Sequence, residues 1–157
     1  MARAQNILLM IENEHREVEQ LFDQFESAGS RKKVQECFNQ IYKELSLHAQ
    51  AEELAFYPAM REYEEIESYI EEAESEHNSV KILLEQMKAL KPEDAEFKLK
   101  MTHLKEAVIH HIKEEESEIF TAVRECMNEE KLEELGQRFQ EAKQKWQSEV
   151  EAALARK

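Results

Sequence analysis

Two stretches decide the fold: HAQAEELAFY at residues 48–57 and HIKEEESEIF at residues 111–120. Each opens with His-x3-Glu and closes on a bulky pair, Phe56-Tyr57 in one and Ile119-Phe120 in the other, at an offset of 63 residues. On an α-helix a four-residue step puts both side chains on one face, a turn apart. The same register continues upstream, where Glu14-His15-Arg16-Glu17-Val18 corresponds to Glu76-His77-Asn78-Ser79-Val80 at an offset of 62, with Leu21 and Leu83 in step. The chain therefore repeats a helical hairpin that carries one histidine on its first helix and His-x3-Glu on its second.

Apolar residues recur at helical spacing around these motifs. The spacing predicts helices from about Ala4 to Glu26, from Arg31 to the region of Pro58, from Tyr63 to Leu90, and from beyond the Lys91-Pro92-Glu93-Asp94 break to about Met127. Gly29 offers a C-terminal cap and Ser30 an N-cap, and the ring of Pro58 should bend or end the second helix. The core stripes read Ile7, Ile11, His15, Val18, Phe22, Phe25, then Val34, Phe38, Ile41, Leu45, His48, Glu52. The third helix gives Ile66, Ile70, Ala73, His77, Val80, Leu84, Met87, and the fourth Phe97, Met101, Leu104, Val108, His111, Glu115, Ile119. A fifth helix, about 129–155, carries Leu132, Leu135, Phe139, Trp146, Val150 and Leu154, with Gly136 a weak point inside it. Its stripe is expected to pack on its own bundle, or else on a dimer partner.

Composition agrees with an all-α chain. Two glycines and two prolines among 157 residues leave too little punctuation for a hairpin-rich β fold. The length fits a single domain, 1–157, with the bundle at about 1–127. A formal charge of -14 gives no basic footprint for nucleic acid or an anionic membrane surface. The run Ile7–Ile11 is too short for a signal segment or a spanning helix, so a cytoplasmic protein is expected. Cys37 and Cys126 form no CxxC and read as small buried residues or stray thiols.

Folded as an antiparallel up-down four-helix bundle, the two hairpins bring His15, His48, Glu52, His77, His111 and Glu115 to one interior level. Burying these groups unpaired costs several kcal/mol for each charge, whereas a metal satisfies them together. Two His-x3-Glu motifs suggest two ions bridged by carboxylates. Nitrogen and oxygen donors without thiolate favour iron, with manganese or zinc as substitutes. His110 lies about 100° around the helix from this stripe, and His103 has no partner in the repeat. Both are expected at the surface, as are Glu53, Glu114 and Glu116. Glu12-x-x-His15 and Glu74-x-x-His77 spell a ferritin-like signature. They lie on the first helix of each pair, off the core stripe, and would leave His48 and His111 unused.

The pattern H…HxxxE…H…HxxxE resembles the hemerythrin family, specifically its bacterial HHE cation-binding branch, over roughly the first 127 residues. The resemblance implies that His15 and His48 serve one iron and His77 and His111 the other, with Glu52, Glu115 and an oxo or hydroxo group as bridges. Oxygen-carrying relatives have a fifth histidine one turn before the residue matching His77, where this chain has Ala73. Two octahedral ions would then keep two open positions instead of one. The function implied is binding of O2 or a related small molecule for sensing, storage or stress response. Decomposition of peroxide or nitric oxide, or donation of iron to damaged centres, are the alternatives. The expected partner is a diatomic or peroxide ligand, and the expected state a monomer or homodimer.

Overall fold

The computed structural model describes residues 5–156, and among them every regular element is helical. Helix α1 spans Ile7–Glu26. Helix α2 begins at Arg31–Ala51, passes through a π-helical turn at Glu52–Phe56 and closes with Tyr57–Met60. Helix α3 spans Glu64–Lys88. Helix α4 runs through Ala95–Glu114, a second π-helical turn at Glu115–Ile119, and Phe120–Cys126. Helix α5 spans Glu129–Ala155.

Side-chain caps set three of the helix starts. Asn6 accepts from the Leu8 amide at 2.8 Å, Ser30 from Lys33 at 3.2 Å and Asn128 from Lys131 at 2.9 Å. The expected start of α1 at Ala4 lies outside the described residues. Gly29 does not act as a left-handed cap: no described residue has a positive φ, and α1 ends where the Ser27 amide bonds back to Asp23 and the Ala28 amide to Phe25. Pro58 neither ends nor breaks α2. It follows a widened π turn and sits in the first turn of the closing α-helical segment, where a missing N–H costs little.

The apolar stripes are buried much as their periodicity predicts, but the core is divided. One cluster gathers Ile7, Ile11, Phe56, Ile70, Phe120 and Phe139, and the other Val18, Phe22, Phe38, Leu45, Leu84 and Phe97. Between them lies the polar layer of four histidines and two glutamates, each at most 7% exposed. Helix α5 packs across α1 and α2. Leu135 and Phe139 are fully buried there, so the stripe of α5 is covered by its own chain.

Candidate metal centre

The spacing of the histidines about the turns puts His15, His48, His77 and His111 on four different helices at one level. The structure gathers all six expected residues into two groups, His15 with His48 and Glu115, and His77 with His111 and Glu52. The carboxylates reach across both groups. Glu52 Oε1 is 3.0 Å from His48 Nε2 and 3.3 Å from His77 Nε2. Glu115 Oε1 is 3.1 Å from His15 Nε2, and its Oε2 is 3.5 Å from His111 Nε2.

These atoms lie close without satisfying one another. His15 Nε2, His48 Nε2, His111 Nε2, Glu52 Oε2 and Glu115 Oε1 are all buried with no hydrogen-bond partner. Leaving a buried polar atom unpaired costs about 1–3 kcal/mol, so five in one layer would consume a large part of a domain's stability. Nitrogen and oxygen lone pairs directed at a shared interior are what a divalent cation requires, and the donor set fits such an ion.

Each ring is fixed from behind. The Nδ1 of His15 faces Glu116 at 2.6 Å, that of His48 faces Glu14 at 2.8 Å, that of His77 faces Glu53 at 3.1 Å, and that of His111 faces Glu76 at 2.7 Å. A carboxylate at Nδ1 holds the proton there and leaves Nε2 as the inward lone pair. Each supporting carboxylate meets a base in turn: Arg16 at Glu116, Lys143 at Glu14, Lys81 at Glu53, and His110, at 3.6 Å, at Glu76. Lys143 belongs to α5, and so does Phe139, whose ring lies edge-on to His48 with centroids 6.1 Å apart.

The field of these carboxylates is strong. Burial works against a charge on His111, yet Glu115, Glu76 and Glu52 outweigh it and push the imidazole up to about 10. His15, His48 and His77 are raised for the same reason, against the same burial. Burial likewise opposes a charge on Glu115, and the neighbouring histidines hold it well below the usual carboxylate range. A cation entering the layer would replace protons that this field otherwise attracts.

Sequence reasoning missed two features. Glu53 and Glu116, expected as solvated flank charges, instead orient His77 and His15 on neighbouring helices. Glu14 and Glu76 act alike, and the 62- and 63-residue repeat relates both pairs. The second feature is Tyr57. Its hydroxyl donates to Glu115 Oε2 at 2.8 Å and lies 3.3 Å from both Glu52 Oε1 and His77 Nε2. Burial, with Glu115 and Glu52 beside it, holds the phenol protonated. His110 and Glu114 form a separate surface group with Glu76, and His103 is exposed. Glu12 and Glu74 belong to neither interior group, and Glu74 pairs with Arg61 instead. Both cysteines are half-buried, with Cys126 donating to Glu65 at 3.2 Å.

Beside the layer is a cavity of about 40 Å³, bordered by all four histidines and walled by Val18, Leu45, Val80, Leu84 and Val108. No helix among the described residues is long and apolar enough to cross a membrane.

Comparison with known proteins agrees with this geometry. The chain is similar to a DNA nickase of Nostoc sp., at 38% identity over 142 residues, 90% of this chain and 40% of that protein. It is also similar to an uncharacterized hemerythrin-like protein of Schizosaccharomyces pombe, at 26% identity over 132 residues, 83% of this chain and 65% of that one. It thus spans less than two thirds of either relative. No solved structure matches. Residues 6–123 match the family described as hemerythrin HHE cation binding domain, a span that includes all six clustered residues and Tyr57. The chain belongs to the hemerythrin HHE cation-binding domain family.

Proposed function

We propose that this chain is a non-haem di-iron protein that binds O2 or a related diatomic molecule, for sensing, storage or stress response. His15 and His48 hold one ion, His77 and His111 the other, and Glu52 and Glu115 span both. Manganese and zinc suit the same donors. The observation that carries this reading is the set of five unpartnered buried atoms facing one interior layer. Iron there supplies redox chemistry and Lewis acidity.

The protein's own side chains do the rest. The four outer glutamates fix the imidazoles, α5 shields His48, and the apolar walls keep bulk water from the layer. A cavity of about 40 Å³ has room for a guest of a few atoms. Its apolar walls favour a small neutral guest over a charged or bulky one.

Metal analysis after anaerobic purification tests the proposal: two irons per chain are expected, and none would refute it. The name of the Nostoc relative adds a second arm, in which supercoiled plasmid is incubated with the iron-loaded protein. A net charge of -14 and an enclosed layer argue for intact plasmid. Metal-dependent nicking, abolished in His111→Ala, would displace the diatomic-binding account.

A further inference from the structure

The two His-x3-Glu motifs are followed by identical helical distortions but different side chains. In each π turn the backbone bonds five residues back, Tyr57 N–H to the Glu52 carbonyl and Phe120 N–H to the Glu115 carbonyl. The wider turn brings the fifth residue over the carboxylate that begins it. The repeat therefore places Tyr57 and Phe120 at equivalent stations, one with a hydroxyl and one without. Both are fully or almost fully buried.

The Tyr57 hydroxyl has three polar neighbours and a single proton. It donates to Glu115 Oε2, which leaves Glu52 Oε1 and His77 Nε2, both at 3.3 Å, facing the phenol oxygen as lone pairs. Two of the three neighbours belong to the His77–His111 side: His77 Nε2 itself, and Glu115 Oε2, the oxygen that faces His111 while Oε1 faces His15; Glu52 Oε1 lies between His48 and His77. Among the four imidazoles the hydroxyl bonds to His77, which places the oxygen toward the His77–His111 ion. Ala73, small and buried, occupies the position on α3 one turn before His77.

We propose that Tyr57 is the seventh protein ligand of the centre, bound through its phenolate oxygen to the ion held by His77 and His111. The inference rests on the di-metal reading above. On binding, the O–H bond breaks, a metal–oxygen bond forms and the proton leaves to solvent, with no change of oxidation state. The two ions become inequivalent. The His77–His111 ion is closed by protein oxygen, and the open position for an exogenous ligand is on the His15–His48 ion, whose counterpart station is Phe120.

The test is optical and vibrational, on the full chain loaded with iron and oxidised to the ferric state. The wild type is expected to show a visible phenolate-to-iron charge-transfer band, with tyrosine ring modes enhanced in resonance Raman on excitation into it. Ring-deuterated tyrosine should shift those modes. Tyr57→Phe is expected to keep two irons per chain and lose the band. Tyr42 is bonded to Glu85, and Tyr63 and Tyr69 pack against the apolar cluster that includes Ile66 and Ile70, so a phenolate signal lost in Tyr57→Phe identifies Tyr57. The labelled wild type decides even if the variant folds poorly. Two irons per chain with no tyrosine modes would overturn this proposal alone, whereas a wild type without iron would overturn the reading beneath it.

Discussion

Gly136 sets helix propensity against packing. It lies inside α5, and on propensity alone Gly136→Ala should stabilise the helix by roughly 0.5–1 kcal/mol. The structure gives the opposite sign. A Cβ built at Gly136 would fall 1.9 Å from the Gln5 carbonyl oxygen, 3.1 Å from its carbon and 3.2 Å from Met10 Sδ. The first contact is with backbone, so it cannot be relieved by a rotamer change, and the N-terminal segment and α5 must separate by more than an ångström. Overpacking of this kind costs typically about 1–3 kcal/mol. After the propensity gain, Gly136→Ala should be destabilised by about 1–2 kcal/mol, a melting temperature lower by roughly 2–8 °C for a chain of this size. Phe139 and Lys143 follow one and two turns along α5, so the separation should also loosen the cover over His48. Thermal unfolding of the metal-free and iron-loaded forms measures both effects. A variant as stable as the wild type, or more so, would refute the close approach of α5 to Gln5.

Other consequences are equally direct. His48→Ala or His111→Ala should lose bound metal and lower stability while His103→Ala does neither, as metal analysis and unfolding will show; equal metal in all three would contradict the assignments. Glu14→Gln removes the charge that orients His48 and should weaken metal affinity by about 10–100-fold in chelator competition, with the fold intact. In the chelated protein, folded His111 titrates near 10 against 6.5 in the unfolded chain, so its stabilisation is complete below pH 6.5 and is lost as pH rises toward 10. Glu115, held below 4.5, contributes above that pH and loses its contribution as pH falls through its folded value. Melting temperature should therefore fall on both sides of a mildly acidic maximum, and a flat profile from pH 6.5 to 10 would contradict the raised imidazoles.

The inner layer was legible because the repeat doubles it: His15, His48, Glu52, His77, His111 and Glu115 stand at matching positions on apolar stripes, and periodicity alone turns them inward. Tyr57 was hidden by the assumption of uniform α-helix, and the supporting glutamates because each bonds a ring on a different helix, a pairing that spacing along one helix does not show. At 3.6 residues per turn Tyr57 and Glu52 do not share a face. The π turns change that register by one residue. Pro58 was visible as an interruption, but its accommodation by a widened turn was not. The covering of His48 by Phe139 and Lys143 depends on the path of α5, which its one-sided stripe leaves undetermined.

Anomalous diffraction at the iron edge from crystals of the iron-loaded protein tests the central claim most directly. Two peaks per chain are predicted in the interior layer, one roughly 2 Å from the Nε2 atoms of His15 and His48 and the other equally close to those of His77 and His111. An empty layer, or iron only at the surface group of Glu76, His110 and Glu114, would contradict it.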